Sequence, residues 1–210
     1  MTAPTPGRHC PGDERELVLA SASPRRRELL LGLGLRFEVD AATGDEALPA
    51  GIDAAAAVTA LALAKAREVA SRHPTALIVA ADTIVALGGR LLGKPGDADD
   101  ARTMLHALSD HDHRVLTGLI VLDAASAAYE SRVVETRVRF RALADTEIDA
   151  YVRTGEPLDK AGAYGIQGLG AVFVAGIEGD YSNVVGLPLA ALNDLLRNAG
   201  ACLICRRLRA

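Results

Sequence analysis

The apolar positions of the chain form short runs and stripes, and the most continuous run, residues 76–87, predicts a buried strand. Asp82 and Thr83 interrupt this run near its middle. Burying an unpaired carboxylate is costly, so a carboxylate inside the strand must face a cleft, a cation or strong donors. The alternative is a strand that ends at Ala81, with Asp82 in a turn or capping a helix.

A strand followed directly by a helix is predicted near the start of the chain. Residues 16–21 form an apolar run typical of a short buried strand. In the segment that follows, Ser23 suits a helix N-cap, Pro24 the first helical position and Gly34 the position just past the helix end. We therefore expect the helix to begin at the carboxyl end of the strand.

Three consecutive arginines, at positions 25–27, occupy the first turn of this predicted helix. Cations are unfavourable there, because the helix dipole is positive at its N-terminus. Backbone N–H groups, hydroxyls and guanidinium groups would converge on an anion at this point, and phosphate is the anion that we expect to bind. Arg26 shares a helical stripe with three leucines, so it should face the packed side. The alternative is a solvated basic turn that pairs with nearby acids.

The remaining hydrophobic pattern predicts strands and helices that would pack as a mixed sheet with helices around it. The predicted strands are residues 36–42, 115–122, 128–140 and 171–177. The predicted helices are residues 52–70, 97–108 and 145–154, and a last helix that opens at 186–188 and ends at Arg197. A turn is expected at residues 178–182.

Several polar segments allow both a structural and a ligand-binding interpretation. Lys65 lies on the apolar stripe of the predicted helix 52–70, where it either extends to the rim or neutralises an anionic ligand. The acidic pair at 45–46 is either solvated or supplies oxygen ligands for a divalent cation. The glycine-dense segment 159–170 is either a structural turn or a place where backbone approaches a ligand.

Two short spacings suggest metal or redox chemistry. His111 and His113 alternate, as ligands on one strand face do, and Cys202 and Cys205 have the spacing of half a metal or redox site. No further ligand is apparent in the sequence beside either pair, so we expect neither to bind metal. The basic tail that carries the cysteines is expected to be surface decoration.

The composition fits one domain of ordinary size with an aliphatic core. The 210 residues are 50% hydrophobic but only 3% aromatic, and the net charge of −4 gives no general attraction to nucleic acid or anionic membrane. Apolar runs long enough to span a bilayer and a signal-peptide core are both missing, so we expect a cytoplasmic protein. We divide the chain into a disordered extension at 1–15, one domain at 16–198 and a basic tail at 199–210.

Five motifs resemble, in their order along the chain, those of the Maf family of nucleoside triphosphate pyrophosphatases. They are SASPRR at 21–26, ADT at 81–83, KP at 94–95, DKAGAYGIQG at 159–168 and NVVGLP at 183–188. The resemblance implies a strongly twisted α/β fold with two lobes and a cleft, like that of the inosine triphosphate pyrophosphatases. It also implies divalent-metal-dependent hydrolysis of a nucleoside triphosphate to the monophosphate and pyrophosphate, commonly by a homodimer. The YGIQ form of the fourth motif is similar to the branch that acts on dTTP and UTP.

The same resemblance implies roles for individual residues. Asp82 matches the proton acceptor, and Arg26, Thr83 and Gln167 match the positions that set base preference. Other positions match further polar groups of the cleft, namely Ser21, Arg25, Glu46, Lys65 and Lys94. The placement of Glu46 depends on the alignment of a loop.

Elementary chemistry supports these roles. Uracil and thymine present an N–H donor between two carbonyl acceptors, and the carboxamide of Gln167 can pair with a donor and an acceptor together. Attack by water on the α-phosphorus needs a base or a metal-bound hydroxide, and the departing pyrophosphate needs cations. We assign the first task to Asp82, with Glu46 holding Mg²⁺ or Mn²⁺, and the second to Arg25, Lys65 and Lys94. Alternatively, Asp82 is a metal ligand only.

A function of another class is also compatible with these motifs. The same cleft could belong to a nucleotide-sensing regulator that controls septum formation and cell division through a protein partner. A sensor needs no base at the α-phosphate, so replacement of Asp82 distinguishes the two hypotheses. The physiological pyrimidine nucleotide is not specified by the sequence.

Overall fold

The computed structural model describes residues 15–44 and 52–207, so residues 1–14, residues 45–51 with Glu46 among them, and the last three residues lie outside it. In chain order its elements are β1 Leu17–Leu19, α1 Pro24–Gly32, β2 Glu38–Val39, α2 Ala54–Ala70, β3 Leu77–Leu87, β4 Arg90–Leu92, α3 Ala98–Leu108, β5 Asp112–Asp123, β6 Tyr129–Phe140, α4 Asp145–Arg153, β7 Val174–Glu178, α5 Tyr181–Val185, α6 Leu189–Asn198 and α7 Leu203–Arg207. Short 3₁₀ turns span Glu156–Asp159, Ala161–Ala163 and Leu169–Phe173.

The strands form one mixed sheet of seven, in the order β2-β1-β3-β5-β6-β7, with β4 paired to β3. β1 runs parallel to β2 and β3, whereas the other pairs are antiparallel. Parallel pairing of β1 and β3 requires a crossover, and α1, β2 and α2 lie within that connection. The mixed sheet flanked by helices that the sequence predicts is confirmed.

Alternation along β3 distributes the core over the two faces of the sheet. Ile78 and Ala80 pack against α2 on one face. Leu77 and Val79 face the other way, into a cluster shared with α1 and α6. Further along the same face, Val85 belongs to a separate cluster built with α3 and α4. These two clusters are the cores of two lobes, and a cleft opens between them.

One edge of β3 is left open at its centre. β1 pairs with β3 as far as Val79, and β4 pairs with β3 from Val85 onward. Among the described strand pairings, residues 80–84 have only β5 as a neighbour. Asp82 and Thr83 lie in this interval, and α1 begins beside it at the end of β1. In open α/β sheets, ligands bind at such a point, beyond the carboxyl end of a strand.

Most of the predicted elements are confirmed, with helix and strand bounds shifted by a few residues. The strand expected at 36–42 is reduced to Glu38–Val39, because its partner β1 is itself only three residues long. The strand expected at 171–177 begins at Val174, since residues 169–173 form a 3₁₀ turn. In the turn expected at 178–182, Asp180 instead caps α5 by accepting from Ser182 N and Asn183 N.

The expectation that the C-terminal tail decorates the surface is wrong for residues 201–203. Ala201 and Leu203 belong to the α1 and α6 cluster, and Cys202 is only 7% exposed. Arg15 Nη2 donates to Ala199 O at 2.6 Å, which ties this segment to the start of the described chain. Within the described ranges, no helix has the length and apolar character required to cross a membrane.

Candidate active site

A cavity of about 550 Å³ lies over the open interval of β3. This is within the size range of small-molecule sites, roughly 300–1,000 Å³. One wall is formed by the end of β1 and the start of α1, and the opposite wall by residues 159–166. The side chains on which the sequence analysis focused and that line the cavity are Ser21, Arg25, Arg26, Lys65, Asp82, Thr83 and Lys94.

Asp82 lies within β3, so the alternative of a strand that ends at Ala81 is wrong. Asp82 is 8% exposed, and its carboxylate oxygen Oδ1 accepts a hydrogen bond from Lys65 Nζ at 2.5 Å. Lys65 comes from α2, which packs on the same sheet face as Asp82. A buried carboxylate is tolerated when a cation and hydrogen bonds compensate for its lost hydration. Lys65 therefore points into the cleft, where it can also meet an anionic ligand.

The start of α1 combines a hydroxyl, helix N–H groups and two guanidinium groups. Ser21 Oγ accepts from Ser23 N at 3.2 Å, whereas Ser23 occupies the N-cap position without a capping bond from its own side chain. Arg25 Nη1 donates to Asp159 Oδ2 at 3.0 Å across the cleft. Partial burial raises the pKa of Asp159, but hydrogen bonds from Lys160 and Arg25 outweigh it and the net pKa is lowered. Asp159 therefore remains ionised and keeps both cations at the cleft.

Arg26 faces the packed side of α1, as its helical stripe predicts. Its Nε donates to Gly186 O at 2.7 Å, Nη1 to Ser21 Oγ at 3.1 Å and Nη2 to Thr83 Oγ1 at 3.0 Å. Thr83 Oγ1 in turn lies 2.9 Å from Thr117 Oγ1. The guanidinium of Arg26 is thus held in one orientation at the floor of the cavity.

A second layer of buried polar residues supports this floor. Thr117 donates to Asn183 O at 3.3 Å, and Asn183 Nδ2 donates to Val115 O and Thr136 Oγ1, both at 3.0 Å. Sequence reasoning assigned no site role to Thr117 or Thr136, because a neutral hydroxyl on a strand does not demand a partner as the charge of Asp82 does. Asn183 begins one of the five motifs.

The far wall of the cleft depends on tight backbone contacts. Gly162 has φ +70°, and a Cβ there would lie 2.8 Å from a Val85 side-chain carbon. Gly162 N donates to Gly93 O at 3.0 Å, which fixes the turn beside Lys94. Tyr164 follows, lines the cavity and is buried.

Two predicted site residues are not placed in the cavity lining. The lining reaches Ile166 and stops one residue before Gln167, which is exposed at the rim. Glu46 lies outside the described residues, and Ala42, four residues before it in the sequence, lines the cavity. Glu68 of α2 accepts from Thr43 N and Gly44 N at 2.8 and 3.0 Å, so the chain is held beside α2 just before Glu46.

His111 and His113 belong to no group of metal-ligand side chains among the described residues. His113 Nε2 lies 2.8 Å from the hydroxyl of Tyr164, and His111 Nδ1 lies 2.7 Å from Ser109 O. Elsewhere, Glu16, Glu38 and His73 place ligand atoms within 4.8 Å of one another and could hold a metal ion. These three residues lie outside the cleft lining.

Comparison with known proteins agrees with the motifs. The family model described as Maf-like protein matches residues 16–199. The chain belongs to the Maf family. The Maf match covers the sheet, the cleft and every described residue to which the sequence analysis gave a role.

Individual relatives are similar over most of their length. A dTTP/UTP pyrophosphatase of Myxococcus xanthus is 57% identical over 188 residues, which cover 90% of this chain and 94% of that protein. A dTTP/UTP pyrophosphatase of Pelotomaculum thermopropionicum is 51% identical, covering 89% and 97%. One from Moorella thermoacetica is 55% identical, covering 86% and 93%.

Proposed function

We propose that this protein hydrolyses the pyrimidine nucleoside triphosphates dTTP and UTP to the nucleoside monophosphate and pyrophosphate. The observation that carries the proposal is one cavity lined both by a buried carboxylate, Asp82, which is bonded to Lys65 of α2, and by the arginines that begin α1. The names of the similar Maf proteins support the reaction and the base. No contact among the described residues favours the nucleotide-sensing regulator over the enzyme.

The cations of the cleft would bind the triphosphate. Arg25 and Lys94 line the cavity at its two sides, and the first-turn N–H groups of α1 lack intrahelical acceptors. A phosphate at this helix start would therefore gain charge-assisted hydrogen bonds from backbone and side chains together. Arg25 is bonded to Asp159, so we expect a phosphate to compete with that carboxylate for the guanidinium.

Asp82 would act on the attacking water. The water oxygen forms a bond to the α-phosphorus, the bond from that phosphorus to the bridging oxygen breaks, and the water proton passes to the Asp82 carboxylate. Lys65, bonded to the same carboxylate, would stay beside the developing negative charge, while Arg25 and Lys94 stabilise the departing pyrophosphate. The alternative role of Asp82, as a metal ligand only, remains part of the proposal.

The donor set of the cleft fits a hard divalent cation. Among the lining side chains, Asp82 offers carboxylate oxygens, the kind of donor that Mg²⁺ and Mn²⁺ prefer. Glu46 follows Gly44 by two residues, a span of roughly 7 Å at most, and Gly44 is held against α2 by Glu68. We propose that Asp82 and Glu46 hold the metal, which when bound would neutralise phosphate charge and lower the pKa of a bound water.

Gln167 would read the base from the rim of the cavity. Its carboxamide can accept from the N–H of uracil or thymine while donating to a neighbouring carbonyl. Arg26 and Thr83 would contribute from the floor, where their side chains are bonded to each other. The cytoplasmic location, the homodimer and the three-part division of the chain stay predictions.

A nucleotide panel tests the proposal. The purified protein is incubated with each pyrimidine and purine triphosphate in Mg²⁺ or Mn²⁺, and the products are separated. We expect UMP or dTMP together with pyrophosphate, and higher kcat/KM for UTP and dTTP than for the purine nucleotides. Release of the diphosphate and inorganic phosphate would contradict the assigned bond cleavage, and equal use of purines would contradict the base assignment.

A further inference from the structure

We propose that Glu156 is a positioning residue for base selection, acting through the glycine loop 165–170 that carries Gln167. The inference rests on the proposed function and adds to it a residue that belongs to none of the five motifs. Glu156 opens the 3₁₀ turn that follows α4, and its backbone and side chain both contact the far wall of the cleft.

The carboxylate of Glu156 binds the far end of the glycine loop. Oε2 accepts from Leu169 N at 3.0 Å and Oε1 from Gly170 N at 3.3 Å. Oε1 also accepts from the hydroxyl of Tyr151 at 2.9 Å. An ionised carboxylate only accepts hydrogen bonds, so it can satisfy three donors at once, and bonds to an ionised acceptor are stronger than neutral ones.

Tyr151 extends this clamp to the near end of the loop. Its hydroxyl oxygen accepts from Gly165 N at 3.1 Å while its proton goes to Glu156. Tyr151 is 4% exposed and packs within the core of the α3 and α4 lobe, which holds its hydroxyl in one position. The two side chains therefore hold both ends of the segment, and Gln167 lies between these ends.

The glycines of the loop allow these contacts to form. A Cβ at Gly168 would lie 2.3 Å from Glu156 Oε1, and a Cβ at Gly170 would lie 2.8 Å from the Tyr151 hydroxyl. On the other side, a Cβ at Gly165 would lie 2.6 Å from Cε of Lys160. Lys160 Nζ donates to Glu156 O at 2.6 Å and lines the cavity. The loop is thus packed between Glu156, Tyr151 and a cation of the cleft.

Glu156→Gln tests the role of the carboxylate with little change in shape. An amide nitrogen cannot accept a hydrogen bond, so at least one of the three donors loses its partner and the loop gains freedom. We expect the ratio of kcat/KM for dTTP to that for dGTP to fall about tenfold, mainly through a higher KM for dTTP. The matched control is Glu147→Gln, which removes a carboxylate bonded to Arg141 and Ala144 N, away from the cleft. This control should keep the wild-type ratio.

A double-mutant cycle identifies the route of the effect. If Glu156 acts by placing Gln167, Glu156→Gln should leave the ratio unchanged in a Gln167→Ala background. A wild-type ratio in Glu156→Gln, with Gln167→Ala altering it, overturns this inference alone. A wild-type ratio in Gln167→Ala overturns the base assignment and this inference with it. Should Glu156→Gln fail to fold, Tyr151→Phe removes the acceptor of Gly165 N and must lower the same ratio.

Discussion

At the scale of single residues, the site depends on strand alternation at Asp82 and Thr83. Neighbouring side chains of β3 point to opposite faces of the sheet, so Asp82 meets Lys65 of α2 and Thr83 meets Arg26 of α1. Both faces reach the same cavity because the edge of β3 is open between Val79 and Val85. Under the proposed function, Asp82 would act in the chemistry from one face and Thr83 in base recognition from the other.

Replacing Gln167 with glutamate should change base preference. A carboxylate accepts but does not donate, so it suits the two adjacent donors of guanine and repels the carbonyls of uracil and thymine. We expect Gln167→Glu to lower kcat/KM for UTP and dTTP about tenfold relative to guanine nucleotides. Steady-state kinetics on the nucleotide panel measure this, and an unmoved preference profile would remove Gln167 from recognition.

The residues of the site differ in how far the sequence could reveal them. Asp82 and Lys65 stand out because each is a charge on an otherwise apolar strand or helix stripe, and such charges need a partner. Glu156 has no such signal, because its loop partners are backbone N–H groups 13 and 14 residues later, whose position depends on the fold. The carboxamide of Gln167 was found through its motif, but its exposed position at the rim was not foreseeable from the pattern.

At the scale of elements, the contact of α2 with the sheet places Lys65 over Asp82. Gly118 of β5 pairs with Asp82 of β3, so both residues lie on the face of the sheet that packs against α2. A Cβ at Gly118 would lie 2.4 Å from Val58 O, which is helix backbone. The missing side chain lets α2 approach the sheet closely enough for Lys65 to reach the carboxylate.

Gly118→Ala should therefore destabilise the protein and weaken catalysis. Backbone atoms of α2 cannot move aside as a flexible side chain does, and overpacking of this kind costs about 1–3 kcal/mol. We expect a lower free energy of unfolding in denaturant titration and a lower kcat for UTP. The control is Gly32→Ala near the end of α1, where an added Cβ meets nothing within 4 Å. Equal stability of the Gly118→Ala variant and the wild-type protein would contradict the close approach.

Long elements were predictable and short ones were not. α2, α3, β3 and the β5 to β6 hairpin carry sustained periodic patterns, which determine both their type and their buried face. The 3₁₀ turns and α5 are five residues or fewer, and a run that short fits a strand, a turn or a helix equally well. Their conformation follows from partners distant in sequence, such as the Thr136 hydroxyl that contacts Asp180.

At the scale of the whole molecule, His113 joins β5 to the far wall of the cleft. Its ring packs edge-on against Phe140 and Tyr164, with centroids 5.0 and 5.4 Å apart, and its Nε2 contacts the Tyr164 hydroxyl. Burial lowers the pKa of His113 to about 4, with a small opposing effect of Asp112. The imidazole is therefore neutral in the folded protein at neutral pH.

The stability of the protein should depend on this histidine at acid pH. Its folded-state pKa lies below the ordinary 6.5, so the stabilisation is complete above pH 6.5 and is lost as the pH falls through about 4. Over this pH range the shift contributes on the order of 3 kcal/mol to the free energy of unfolding. Denaturant titrations between pH 7 and 4 should show a smaller pH-dependent loss for His113→Gln than for the wild type. The control is His111→Gln at an exposed position, whose unfolding free energy should change with pH as that of the wild type does. The same pH dependence in the wild type and both variants would show that His113 does not cause the acid destabilisation.

If Asp82 accepts the proton of the attacking water, Asp82→Asn should abolish hydrolysis of a pyrimidine triphosphate bound in the cleft. Pyrophosphate release from UTP and dTTP is measured alongside equilibrium binding of the same nucleotides to the wild type and the variant. We expect turnover to be lost while nucleotide binding largely survives, because the cations that bind the phosphates remain. Turnover at the wild-type rate in Asp82→Asn would rule out the role of Asp82 in hydrolysis.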